Sequence, residues 1–133
     1  MRALIVAAAL LGLLLVAAGA AGGHSMVPSD AAARWQGAFL YGFAHTLAAM
    51  IAAILPFHNL LQYAAGWAFV LSVPLFSGVQ IGKIMLGGIA MTPTPLDGLT
   101  MLVPFGGAAF IIGWLMIGLA AAMAQRPEDE EDA

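Results

Sequence analysis

Three histidines, His24, His45 and His58, are the side chains of this sequence that titrate near neutral pH, and their spacing limits the chemistry open to it. None stands four residues from another, so no pair can grip a metal from one helix face. His58 sits in a turn, Pro56-Phe57-His58-Asn59, and reads as an ordinary loop residue. His24 closes the first apolar run, at an interface where a histidine is cheap. His45 differs, because it lies about two turns inside an apolar stretch. Tyr41 precedes it by four residues and so shares its helix face. An ionisable group at membrane depth is a functional candidate by default. The preferred reading is a neutral ring hydrogen-bonded to Tyr41 or to a polar group of another helix, ahead of a proton-handling role. Ser77 and Gln80 are mildly polar positions in a third apolar stretch. They suit helix–helix hydrogen bonds better than catalysis. His24, Tyr41, His45, Ser77 and Gln80 make up the candidate functional cluster.

No catalytic set can be assembled around these residues. There is no cysteine, which excludes disulfides, thiolate metal sites and thiol nucleophiles. Asp30 and Asp97 are the only acids outside the C-terminal tail, and both fall in connections, so paired carboxylates and a Ser/His/Asp triad are missing. No glycine-rich phosphate loop is present. The eight methionines raise copper. Met85, Met91 and Met101 are scattered, however, and Met116 and Met123 lie on the last apolar run, so packing explains them better than soft-metal ligation. No metal, cofactor or enzymatic activity is expected, and without clustered Lys and Arg no nucleic-acid partner is expected either.

The elements that hold these residues follow from the scarcity of charge. Between Arg2 and the acidic run starting at Glu128 there are five charged residues: Asp30, Arg34, Lys83, Asp97 and Arg126. Hydrophobic residues are 62% of the 133, and mean hydropathy is +0.97. Such a chain needs the lipid bilayer as its solvent. The spacing predicts an all-α integral membrane four-helix bundle over residues 1–125, with spans at about 3–23, 38–55, 61–82 and 104–124. Residues 126–133 form a solvated acidic tail.

Glycine spacing predicts where these helices touch. Gly12, Gly19 and Gly23 share a face of the first span, Gly78 and Gly82 a face of the third, and Gly106 and Gly113 a face of the fourth, with Gly107 beside them. Trp114 is then expected to point elsewhere. The first span also resembles a signal peptide, with Arg2 before it and Ala18-Gly19-Ala20 as a cleavage site. Its length and the continuing glycine face favour retention. Ser29 or Asp30 is expected to cap the second helix, which carries Arg34, Trp35 and Gln36 at its polar end, with Trp35 as an interfacial anchor. Pro74 should kink the third span, and Lys83 should snorkel from its end. Residues 84–103 hold a short apolar piece, then turn chemistry at Thr92-Pro93-Thr94-Pro95-Leu96-Asp97-Gly98. Pro104 suits the first turn of the last helix.

Four segments in order resemble the YgdD-like family of small membrane proteins, the domain-of-unknown-function 423 family with transmembrane protein 256 as a eukaryotic relative. Gly19-Ala20-Ala21-Gly22-Gly23-His24 is similar to the family's G-A-x-G-A-H, with Gly23 in place of the usual Ala. Tyr41-Gly42-Phe43-Ala44-His45-Thr46-Leu47-Ala48 is similar to its Y-x-x-x-H-T-L-A, and Leu75-Phe76-Ser77-Gly78 to its L-F-S-G. Pro104-Phe105-Gly106-Gly107, with Phe110, Gly113 and Trp114, is similar to P-x-G-G-x-x-F-x-x-G-W. The resemblance implies four transmembrane helices and brings no established activity. The stretch between Gly78 and Pro104 is longer than the family pattern.

Four spans put both termini on one side with Arg2 and Arg126, opposite Arg34 and Lys83. Arg2 directly before the first span gives a lean to cytoplasmic termini in a bacterial inner membrane. The function expected is a non-enzymatic accessory or interaction protein. Its partners are the lipid bilayer and other membrane proteins or further copies of itself. A conduit for a small solute, proton or metal ion around His45 is the alternative, and an intramembrane enzyme comes last.

Overall fold

The computed structural model describes residues 1–22, 27, 29–87 and 93–124. Helix α1 spans Arg2–Ala21 and α2 spans Ala32–Ile54. The third crossing is one path of three pieces: α3, Leu60–Val73; a π-helical turn, Pro74–Gly78; and α4, Val79–Met85. A 3₁₀ turn at Asp97–Leu102 leads into α5, Val103–Ala122. The described residues include no strand. The four crossings are long and apolar enough to span a membrane. At about 1.5 Å per residue, a helix of 20 residues covers the roughly 30 Å of hydrocarbon.

The second and third crossings are the centre of the bundle. In the most apolar stretch of each, 44% and 50% of residues are buried inside the protein, against 17% in the first and fourth. Helix α1 lies mainly on α2 and α5 mainly on α3. The outer faces of α1 and α5 are left apolar and uncovered: Leu13, Leu14, Ile111 and Leu115 are each more than 60% exposed. Close approach is set by small residues. A Cβ at Gly66 would strike Leu4, and one at Gly42 would stand 2.8 Å from the Ser77 hydroxyl.

Several local expectations meet a different physical solution. Neither Ser29 nor Asp30 caps α2: the N-cap position is Ala31, with no side-chain bond, and Ser29 and Asp30 are exposed in the preceding turn. Trp35 is buried rather than exposed, because its indole covers Gly22 at the end of α1. The chain absorbs Pro74 as a π turn in which the Val79 N–H bonds to the Pro74 carbonyl. A π turn holds an extra residue and so rotates everything after it. As a result Ser77, not Gly78, faces α2. Gly78 is exposed and meets only Pro74 and the Val73 carbonyl of its own helix. Lys83 turns onto the connection that precedes α5. Its ammonium is 2.9 Å from the Asp97 carboxylate and donates to the Thr100 hydroxyl at 3.1 Å. Asp97 in turn accepts from the Thr94 N–H and hydroxyl, which closes the turn before α5.

The opposite end of the bundle is tied by Asn59 and Gln62. The Asn59 side chain caps α3 by accepting from the Gln62 N–H at 3.0 Å, and it donates to the Ala120 carbonyl at the end of α5. Gln62 is fully buried. Its amide nitrogen donates to the Ala52 and Leu55 carbonyls, both at 2.7 Å, and its oxygen accepts from the His58 N–H at 2.9 Å. These bonds hold the tight turn in which His58 takes a left-handed φ of 50°.

Candidate functional site

His45 sits where α2, α3 and α5 meet, and it is 7% exposed. Its ring stacks on Phe110 of α5, with centroids 3.7 Å apart and planes within 17°. Phe69 of α3 lies 5.6 Å away, and Tyr41 stacks from one turn earlier at 6.1 Å. Trp114 of α5 stands edge-on at 6.2 Å. Phe76, from the π turn, contacts both Tyr41 and Phe110 and closes the cluster.

Glycines on α5 make this meeting possible. A Cβ at Gly106 would lie 2.8 Å from the Phe76 backbone nitrogen, and one at Gly113 would lie 2.5 Å from the Phe69 ring. Only bare backbone fits at either point. The resulting approach of α5 to the third crossing carries Phe110 and Trp114 to the histidine. Gly107 is half-buried, in ordinary contact with the Phe76 ring at 3.6 Å.

Both ring nitrogens of His45 are engaged. Nδ1 is 2.7 Å from the Tyr41 carbonyl, and the Trp114 indole N–H donates to Nε2 at 3.1 Å. A carbonyl only accepts and an indole N–H only donates. One protonation state satisfies both: a neutral imidazole with its hydrogen on Nδ1 and its lone pair on Nε2. A second proton would place an N–H against the indole N–H. Histidine, tryptophan and stacked phenylalanines thus form a closed hydrogen-bonded joint between α2 and α5.

Of the other described residues of the candidate cluster, Tyr41 alone takes part in this joint, through its stacked ring and its backbone carbonyl. Tyr41 is 52% exposed, and it is its backbone carbonyl that holds His45. The partner expected for His45 among His24, Ser77 and Gln80 is instead Trp114, the residue expected to point elsewhere. Among the described residues, Ser77 and Gln80 make no helix–helix hydrogen bond: Gln80 bonds back to the Phe76 carbonyl at 3.1 Å, and the fully buried Ser77 hydroxyl has no partner. His24 and Gly23 fall outside the described residues. His58 is exposed, its ring bonded to the Pro56 carbonyl. Of the glycines, Gly19 faces the Phe39 ring, Gly12 meets the Thr46 methyl at 3.6 Å, and Gly82 receives Leu96 from the connection rather than another helix.

Sequence reasoning missed Trp114 and Gln62. The available signal for Trp114 was its spacing: Phe110 and Trp114 are four apart and share the α5 face that meets His45. For Gln62 it was an amide three residues after a capping Asn, within reach of the preceding helix end. No group of three or more His, Cys, Asp or Glu able to hold a metal is found among the described residues.

Three comparisons bear on kinship. A family model described as "Protein of unknown function (DUF423)" matches residues 18–107. The chain is 30% identical over 129 residues to UPF0382 membrane protein YwdK of Bacillus subtilis (strain 168), an alignment that covers 91% of this chain and 97% of that protein. It is 27% identical over 124 residues to UPF0382 membrane protein SAB0533 of Staphylococcus aureus (strain bovine RF122 / ET3-1), covering 90% and 95%. No solved structure matches.

Proposed function

Because this chain belongs to the DUF423 family of membrane proteins, whose function is unknown and whose relatives carry no enzymatic name, we propose that it is a non-enzymatic accessory protein that packs with itself or with a larger membrane complex. The observation that carries this reading is how the membrane-depth polar groups are used. His45, Thr46, Gln62, Ser72 and Gln80 are each bonded to a group of the protein itself. His45 and Gln62 join one helix to another, while Thr46, Ser72 and Gln80 bond back to carbonyls one turn earlier on their own path, so none of the five presents a reacting atom to a substrate. The working surface is then the outside of the bundle, above all the lipid-facing sides of α1 and α5. The bacterial relatives and Arg2 before the first span support a plasma-membrane location with both termini cytoplasmic.

The second reading is a conduit for a proton, small solute or metal ion past His45. The buried, unbonded Ser77 hydroxyl favours it, since such a group can hold a water. The closed His45 joint weighs against it. Capture from native membranes in mild detergent, followed by identification of what co-purifies, separates the two. A stoichiometric protein or a second copy supports the accessory role. A lone chain that moves protons in vesicles, with His45→Gln abolishing the flux, supports the conduit.

A further inference from the structure

A cavity of about 240 Å³ opens between α2, α4 and the 3₁₀ turn, on the membrane face where α2 begins and α4 ends. Its polar lining is Arg34, Gln80, Lys83 and Thr100, and the rest is aliphatic, Val79 and Ile84 among it. Its volume is below the roughly 300–1,000 Å³ of sites for drug-sized ligands, so it suits one small group rather than a whole molecule.

The four polar residues have donors to spare. Lys83 spends one N–H on Asp97 and one on Thr100, leaving a third. Thr100 accepts from Lys83, so its own hydroxyl hydrogen is available to the cavity. Gln80 uses one amide hydrogen on Phe76 and keeps the other. Arg34 is exposed, and among the described residues the one ion pair is Lys83–Asp97, so no described carboxylate occupies its guanidinium. Five of the seven carboxylates of the sequence, Glu128 to Asp132, follow α5, which ends on the opposite membrane face. Asp30, four residues before Arg34, is exposed and forms no ion pair with it among the described residues, so the Arg34 guanidinium is open to an anion from outside.

We propose that this cavity binds a phosphate group at the membrane surface, the chemistry shared by an anionic phospholipid headgroup and a free phosphate ion. A guanidinium fork lining the same cavity as N–H and O–H donors matches tetrahedral phosphate oxygens. Arg34 in the first turn of α2 and Lys83 in the last turn of α4 stand at headgroup depth, where anionic lipids concentrate.

The test is native mass spectrometry of the full chain in mild non-ionic detergent, titrated with phosphatidylglycerol, alone and against inorganic phosphate. A saturable one-to-one lipid adduct is expected, weakened roughly tenfold or more by Arg34→Gln. Arg2→Gln, on the opposite membrane face, should leave it unchanged. Thr100→Val, an exposed position, should weaken it as well, and thermal melts of each variant check the fold. Displacement of the lipid by phosphate, or phosphate adducts alone, assigns the site to the free ion; lipid binding that phosphate does not displace assigns it to the headgroup. Equal binding by wild type and both cavity variants, equal loss in Arg2→Gln, or no saturable adduct with either probe overturns the proposal.

Discussion

Replacing Gly113 with alanine adds one methyl group and tests whether α5 sits against Phe69 as described. The new Cβ would lie 2.5 Å from one Phe69 ring carbon, 2.8 Å from the next and 3.0 Å from a third, where ordinary contact starts near 3.4 Å. The ring must therefore retreat by about 0.9 Å, the difference between those contact distances. It has little freedom to do so. Phe69 is fully buried, with His45 at 5.6 Å and Trp114 at 5.3 Å between ring centroids. Overpacking of this kind costs about 1–3 kcal/mol. Alanine also gains helix propensity over glycine, roughly 1 kcal/mol in water. Gly118→Ala on the same helix, where nothing lies within 4 Å, carries the same gain without the clash. The difference between the two variants isolates the clash, about 5- to 140-fold in the folding equilibrium. Equilibrium unfolding in mixed micelles, titrated with SDS and followed by far-UV circular dichroism, measures both. Gly113→Leu should be worse still, and Phe69→Leu in the Gly113→Ala background should recover part of the loss. If Gly113→Ala and Gly118→Ala unfold at the same SDS fraction, α5 does not rest on Phe69 and the reasoning fails.

Gln62→Leu should lose about 2–4 kcal/mol in the same assay, because three backbone groups at the α2–α3 turn lose their partner together; a loss under about 0.5 kcal/mol would show that water replaces the amide there. Ser77→Ala removes a hydroxyl with no partner, so stability should stay the same or rise by up to about 1 kcal/mol, and a clear drop would reveal a hydrogen bond at Ser77. Intact-mass measurement of the purified protein should return a chain that keeps the first span, since Leu4, Ala8 and Leu15 are buried against the rest of the bundle. A mass lacking the first 18 to 22 residues would remove those contacts.

The membrane crossings are legible in the sequence because hydrophobic length is a one-dimensional property. The glycine faces are legible where the helix is regular: Gly106 and Gly113, seven apart, both meet the third crossing. The same rule misplaces Gly78, because the π turn at Pro74 shifts the face by one residue, and spacing does not reveal where a helix widens. His45 stands out as a polar residue at membrane depth, but its partner does not. Spacing alone has Trp114, next to the packing Gly113, pointing elsewhere. Its indole is long enough to be half-exposed and still return its N–H to the bundle. Gln62 and Lys83 depend on the connections between helices, where bonds form between segments whose relative placement no periodicity encodes.

His45 is spent on joining α2 to α5 rather than on handling protons, and its protonation state is the most direct test of that role. Nitrogen-15 NMR of the imidazoles, with the protein in lipid bilayers near neutral pH and His45 assigned by its loss in His45→Gln, reads that state directly. The account predicts a neutral ring with the hydrogen on Nδ1 and a bare Nε2 that accepts from the Trp114 indole. A ring protonated on Nε2, alone or together with Nδ1, would contradict it.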